Sequence, residues 1–377
     1  MPLARLIHQP RAGALIERMV QEQRLPHALL FWGPAGSGKS VAAIELARWL
    51  NCREGQAGPC NRCDSCRLFT TLEHPHLTYV MPLPGKAMMD SDSGELTDEG
   101  AETVANLLRK KGAEPYRACD YRGAQNILIG QIRSLLQWAG KRSFDNLPQL
   151  ALIDHADRLR EEAGNALLKL LEEPPPNFLL ALTSEAQEDL LPTLRSRCQA
   201  VEFERLPVAA VAQALQDWVG LDQPQSENIA RLSGGNMSRA LAFADNPQHV
   251  SEFYDLAINL VRHSLGKNPL EFHAIIEQWA QLELNDQLLI LEIVMTWLRD
   301  AALLRAAGEA TGSRLVFRDR GELLRKFVAN CPEADFNAAV LRVEDARRQL
   351  LGKVLAPLVI VALARDLYRT IYGKSPI

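Results

Sequence analysis

The sequence predicts an α/β nucleotide-binding domain, with a mainly parallel sheet and helices on both faces, followed by helical segments to the C-terminus. Three observations carry this expectation. Residues 28–50, ALLFWGPAGSGKSVAAIELARWL, set an apolar run of strand length, a glycine-rich loop and a helical repeat in succession. A second apolar run, Gln149–Ile153, ends in Asp154. From about residue 250, apolar positions such as Leu284, Leu288, Leu291, Met295 and Leu298 recur at three and four.

Composition bounds the answer. At ~150 residues per domain, 377 residues suggest two to three domains. The apolar fraction of 47% and charged fraction of 23% are ordinary for a folded soluble chain and exclude low-complexity or wholly disordered readings. With 42 Lys+Arg against 46 Asp+Glu, the net charge of −4 gives no whole-chain attraction to nucleic acid, so any such contact needs a local patch or a partner. Charges interrupt the apolar runs of the first twenty residues, which do not read as a signal peptide. The longest uncharged apolar stretch, Val354–Ala364, contains Pro357 and falls short of the ~18–20 residues of a membrane span. The chain reads as soluble and cytoplasmic.

The loop Gly33-Pro-Ala-Gly36-Ser-Gly38-Lys39-Ser40 matches G-x4-G-K-[ST] at every position. Glycines let backbone N–H groups turn toward phosphates, and the following helix adds its partial positive end. Lys39 is expected to reach the β/γ-phosphates of ATP and Ser40 to ligate Mg²⁺. The competing reading is a glycine-rich turn with a solvated lysine. Asp154, at the end of the second strand, stands where such folds place a Mg²⁺-associated carboxylate; an Asp capping the next helix is the alternative. Hydrolysis ordinarily uses a second carboxylate beside it, but the next residue is His155. Asp157 can substitute only if the backbone bends to bring it in. The expectation is a site that holds ATP and turns it over weakly or not at all.

Cys52, Cys60, Cys63 and Cys66 form C-x7-C-x2-C-x2-C within a module spanning 51–69. Two overlapping C-x2-C steps bring thiolates close enough to share a tetrahedral Zn²⁺. Four cysteine ligands leave no open position, so the expected role is structural. A disulfide framework, chance proximity and a redox pair are the competing readings. Residues 83–122, rich in Gly, Asp, Glu and Lys, read as a variable insertion with one short helix, Glu102–Lys111.

Asn165–Phe203, NALLKLLEEPPPNFLLALTSEAQEDLLPTLRSRCQAVEF, resembles the clamp-loader subunits of bacterial DNA polymerase III, members of the AAA+ superfamily. The four-cysteine insertion after the first helix of the loop is typical of them, and the resemblance covers the first ~245 residues. It is nearer to the delta-prime members than to the gamma/tau motors. His155 replaces the motor's Glu, and Leu232–Ala244 looks like the delta-prime lid helix. Ser238 falls where the motor's lid carries an ATP-sensing Arg, with Arg239 one residue off. The intact phosphate loop departs from the degenerate one of the best-known delta-prime proteins, which leaves a gamma/tau-like ATPase as the alternative; a zinc-dependent DNA-binding module is a remoter one.

The resemblance implies an AAA+ domain over 1–205, a helical lid over 206–247 and a helical collar over 248–377 that joins subunits into a ring. It implies partners: gamma/tau and delta in a hetero-pentamer, and through it the sliding clamp and primed DNA. Ser196-Arg197-Cys198 matches the family's SRC motif, so Arg197 is implied as an arginine finger for a neighbour's ATP; the plain alternative is a surface ion pair. Thr183 falls at the family's first sensor position, or is an ordinary strand-end threonine.

Overall fold

The computed structural model describes residues 3–55, 58–84, 88, 96–119, 126–141, 145–264, 269–308 and 315–372. It divides into two compact units, Met1–Ala244 and Asp245–Ile377.

In the first unit, α1 (Pro10–Gln21), β1 (Ala28–Trp32), α2 (Lys39–Leu50), a short α3 (Asp64–Leu68) and β2 (Leu77–Val80) come first. Then follow α4 (Asp98–Ala113), α5 (Ile129–Ala139), β3 (Gln149–Ile153), α6 (Glu161–Glu172), β4 (Phe178–Ser184), a single turn α7 (Pro192–Arg195) and β5 (Gln199–Glu202). The five strands form one parallel sheet in the order β2-β3-β4-β1-β5. A parallel sheet is covered on both faces, so its three central strands β3, β4 and β1 are buried almost throughout, while the edge strands β2 and β5 are only partly buried. The alternation along the central strands appears as a division between two cores. Leu29, Phe31, Leu150, Leu152, Leu179 and Ala181 face the core that includes Ile16 of α1 and Ile44 of α2. Leu30, Ala151, Ile153, Leu180 and Leu182 face the core that includes Ile132 of α5 and Leu167 of α6.

Two elements exceed their expected limits. Strand β4 runs past Leu182, because Thr183 and Ser184 stay in register with Phe31 and Trp32; Thr183 is therefore inside a strand. The helix expected at Glu102–Lys111 runs from Asp98 to Ala113. Thr97 caps it by accepting the Gly100 N–H at 3.1 Å, and Asp98 and Glu99 in the first turn, with Lys110 and Lys111 in the last, suit its dipole.

After Pro207, three helices complete the first unit: α8 (Val208–Val219), α9 (Gln223–Leu232) and α10 (Met237–Asp245), the last ending at the unit boundary. They share a core of Val211, Leu215, Ala230, Met237 and Ala240 that also takes in Val41 of α2 and Tyr116.

The described elements of the second unit are all helices: α11 (Pro247–Ser264), α12 (Pro269–Ala280), α13 (Leu284–Ala307), α14 (Gly321–Asn330), α15 (Phe336–Leu351) and α16 (Ala356–Tyr372). Trp297 meets Phe317 edge-on at 5.1 Å, and the buried carboxylate of Asp300 accepts the N–H groups of Val316 and Phe317. Leu351, Leu355, Leu358 and Val361 leave an exposed apolar surface around the turn between α15 and α16. Among the described residues, no helix is long and apolar enough to cross a membrane.

Candidate nucleotide site and cysteine cluster

The glycine loop leaves the carboxyl end of β1 and enters α2, the crevice where open α/β sheets place ligands. Gly33, Gly36 and Gly38 have φ of 141°, 68° and 102°, a region that excludes most side chains. Contacts forbid a side chain there as well. A Cβ on Gly33 would stand 2.2 Å from the Phe203 carbonyl oxygen, and one on Gly36 would stand 1.9 Å from Asn236 Oδ1. Gly38 offers no side-chain cap and α2 has no acidic residue in its first turn, so its N-terminal N–H groups favour an anion. Ser40 sits in that turn. Ser37 Oγ is buried without a hydrogen-bond partner. The Lys39 ammonium is turned back on the loop, donating to the carbonyls of Gly33 (2.6 Å) and Pro34 (2.8 Å). Burial pushes its pKa down, opposed by the carboxylates of Glu185, Asp154 and Asp157.

Asp154 is buried at the end of β3 and its two oxygens are engaged. Thr183 Oγ1 donates to Oδ1 at 2.5 Å and Tyr79 Oη donates to Oδ2 at 2.5 Å. The Thr183 hydroxyl also accepts the His155 N–H at 3.0 Å. Burial pushes the Asp154 carboxyl up, but His155, Lys111 and these two hydrogen bonds outweigh it and hold it at about 2. The structure thus joins Asp154 and Thr183, which the sequence nominated separately, through Tyr79 on β2, which it did not. The chain does bend after Asp154. His155 lies at φ 56°, and Ala156–Arg158 make a 3₁₀ turn that leaves Asp157 Oδ1 buried and unpartnered. Burial raises the Asp157 carboxyl.

The helices after Pro207 close on the loop. Met237 N–H donates to the Gly36 carbonyl at 3.2 Å, and Ser238 Oγ donates to the Tyr116 carbonyl at 2.5 Å. The Ser238 hydroxyl, in the lid stretch the sequence analysis singled out, is therefore committed to the backbone at Tyr116.

The sulfurs of Cys52, Cys60, Cys63 and Cys66 lie within 4.8 Å of one another, so the cluster is able to hold a metal ion. Its donor set fits one. Backbone N–H groups of Gly55 and Cys60 point at Cys52 Sγ, each at 3.2 Å, and those of Cys63 and Cys66 point at Cys60 and Cys63 Sγ at 3.4 and 3.5 Å. Such donors favour thiolates. Burial raises the Cys52 thiol, but the Cys60 and Glu54 N–H groups bring it down to about 7; burial of Cys66 pushes that thiol up to about 12. Four facing sulfurs ionise together only around a cation. The cluster is fixed to the sheet by buried polar contacts. Ser65 Oγ donates to the Asn51 carbonyl (2.7 Å) and meets His74 Nε2 (3.0 Å), while Asn51 Oδ1 meets His76 Nδ1 (2.8 Å).

Arg197 lies between α7 and β5, before the amino end of a strand that runs parallel to β1, whereas the loop follows the carboxyl end of β1. Its guanidinium pairs with Glu172 at 2.8 Å and donates to the Thr193 carbonyl at 3.1 Å, with the two charged side chains 38% and 52% exposed.

The sheet order, the glycine loop after its first strand and the aspartate at the end of β3, one strand beyond the neighbouring β4, define a P-loop nucleotide-binding class of protein. Comparison with known families narrows this. Residues 8–207 match the model of the family described as DNA polymerase III, delta subunit. The chain is 26% identical to DNA polymerase III subunit delta' of Bacillus subtilis over 92% of both chains. It is 31% identical to subunit delta' of Pseudomonas aeruginosa over 60% of this chain and 58% of that one. Subunit tau of Bacillus subtilis matches at 25% over 64% of this chain and 36% of its own length. Among solved structures, a gamma subunit-related protein of Thermotoga maritima covers 96% of this chain and 99% of its own at 14% identity and a TM-score of 0.42, too remote a likeness to bear on function. The chain belongs to the DNA polymerase III delta family, among its delta-prime clamp-loader subunits.

Tyr79→Phe removes one of the two donors to Asp154. A hydrogen bond to a charged group contributes ~1.5–3 kcal/mol, the loss expected in urea denaturation at neutral pH. The Asp154 contribution is full above its ordinary value of 3.8 and disappears as the pH falls through about 2. In the variant the carboxyl resonance should titrate at higher pH than in the wild type; an unmoved midpoint would show that Tyr79 does not hold the charge.

Proposed function

We propose that the chain braces one end of the DNA polymerase III clamp-loader ring and supplies Arg197 in trans to the ATP bound by a neighbouring subunit during loading of the sliding clamp onto primed DNA. The observation that carries this reading is the position of Arg197: half-exposed, before the amino end of β5 rather than at the carboxyl end where its own phosphate loop lies, and held by one exposed ion pair. A guanidinium presented to a neighbour stabilises charge developing on a transferring γ-phosphate. Gamma/tau and delta are the expected ring partners, and cytoplasmic replication is the expected setting. In this reading residues 1–205 are the AAA+ domain, 206–247 the lid and 248–377 the collar. The exposed Leu351, Leu355, Leu358 and Val361 support a subunit contact in that collar.

The chain's own site is read as one that holds nucleotide phosphates on Gly33, Gly36, Gly38, Lys39 and Ser40 and hydrolyses weakly or not at all. Mg²⁺, when bound, would neutralise phosphate charge beside Ser40 and Asp154. His155 offers no fixed carboxylate, and Thr183 serves Asp154. The intact loop favours a second reading, an ATPase motor; His155 and Ser238 weigh against it. Cys52, Cys60, Cys63 and Cys66 would hold a structural Zn²⁺, whose binding energy would order a module with little core of its own.

In a loader reconstituted with its other subunits, Arg197→Ala should leave assembly unchanged while the ATP site it serves loses roughly 10³–10⁵ in rate. Turnover equal to wild type would exclude the finger. Elemental analysis should find one zinc per chain. Cys66→Ser should lose the metal and make residues 51–69 sensitive to protease, and a metal-free chain with the same protease resistance would exclude the structural ion.

A further inference from the structure

The 83–122 insertion carries one residue that enters the nucleotide site. Tyr116 lies just beyond the C-terminus of α4 and is 3% exposed. Its ring packs in one cluster with Val41 in the first turn of α2 and with Leu206, Val211, Leu215 and Met237, and it approaches the Trp218 ring at 5.8 Å. Its hydroxyl accepts the Ile7 N–H at 2.8 Å, and its carbonyl accepts from Ser238. The same hydroxyl abuts the phosphate loop: a Cβ on Gly38 would lie 2.6 Å from it. Lys111 fixes the turn by donating to the Arg117 carbonyl at 2.9 Å.

A nucleotide seated with its β/γ-phosphates at Lys39 carries its nucleoside away from the loop past the first turn of α2, and needs there an apolar surface and a polar group or two to orient the base. That surface exists here, made by Val41, Ile7 and the helices after Pro207, and an aromatic ring from the chain itself fills it. The Ile7 N–H, a donor such a base would use, is already taken by Tyr116.

Building on the reading of Gly33–Ser40 as a phosphate site, we propose that Tyr116 is an internal occupant of the nucleoside pocket, so that nucleotide enters this subunit only when the turn carrying Tyr116 withdraws. The intact loop and the weak turnover expected of the chain then have a common cause. The loop keeps its capacity for phosphate while the insertion lowers the fraction of molecules able to use it. Apparent affinity falls in proportion to that competent fraction, so a pocket filled in roughly nine molecules of ten or more weakens binding by about tenfold or more.

The test is calorimetric titration of MgATP into the full chain as wild type, Tyr116→Ala, Tyr116→Phe and Tyr116→Ala/Lys39→Ala, each checked for folding by thermal melting. Tyr116→Ala should bind at least about tenfold more tightly than wild type. Tyr116→Phe keeps the ring and loses only the acceptor for Ile7, so it should gain about two- to tenfold and stay folded should the alanine variant not. The double variant should lose the gain. Where ATP does enter the wild type, the Trp218 emission should change as Tyr116 leaves, and that component should be missing in Trp218→Phe. Equal, Lys39-dependent ATP affinity in wild type and both Tyr116 variants would overturn the internal occupant and leave the phosphate site standing. Absence of binding by folded Tyr116→Ala and Tyr116→Phe alike would overturn the phosphate site, and the occupant with it.

Discussion

The first unit depends on close backbone approach at the phosphate loop. Gly33 lies against the Phe203 carbonyl and Gly36 against Asn236, with a hydrogen bond from Met237 to the Gly36 carbonyl. No residue with a Cβ fits at either place without moving backbone. The loop is thus both a cradle for anions and the joint on which the helices after Pro207 rest. The sheet order makes this possible: β1 lies between β4 and β5, so Thr183 in β4 and the chain leaving β5 flank the loop. Asp154, one strand further, is linked to it through Thr183.

Much of this was legible in the sequence, and the limits are instructive. Strands β1 and β3 appear as short apolar runs because both faces of a parallel sheet are buried, and the loop is specified by glycines that nothing else can replace. The four cysteines were visible because metal chemistry is tied to spacing over a few residues, whereas Arg197 was singled out only through the resemblance of Ser196-Arg197-Cys198 to the family's SRC motif. The partners were not visible. Tyr79 lies 75 positions from the aspartate it serves, and the alternation of β2 says only that Tyr79 faces a core. Tyr116 sits in a polar, charged segment whose composition suggests solvent, and it is among the most buried aromatics of the unit. Composition averages over a segment, whereas one aromatic ring suffices to fill a pocket.

The cysteine module illustrates the same division. Its spacing announces convergence on one point, while its attachment is carried by Asn51, Ser65, His74 and His76, residues with no motif. Asn51 is fully buried and satisfies the Ala47 and Pro148 carbonyls as well as His76. His74 stacks on Phe69 at 4.4 Å, and burial next to His76 brings its pKa down to about 4, so it is neutral at physiological pH. With Nδ1 accepting the His76 N–H, the neutral imidazole donates from Nε2 to the Ser65 hydroxyl without bringing a charge beneath the sulfurs. The cluster therefore stands on satisfied polar contacts, with His76 joining Asn51 to the Asp145 carboxylate at 3.2 Å, and these fix its position against the sheet whatever occupies it.

The ion pair between Arg197 and Glu172 is best understood by what it would cost to break. An exposed pair contributes ~0–1 kcal/mol, because water screens it and two long side chains must be held. Breaking a buried pair by withdrawing one partner costs about 3–5 kcal/mol. A guanidinium that must leave for a neighbour's phosphate is served by the first arrangement and defeated by the second. Glu172 keeps Arg197 beside the end of α7 in the free chain, and in the proposed finger role its pull would be small beside the attraction of a triphosphate in a water-poor interface. The contrast with Asp154, whose charge is buried and doubly hydrogen-bonded, separates the two kinds of residue. Asp154 is held in place by its surroundings, whereas Arg197 is held loosely enough to act on another molecule.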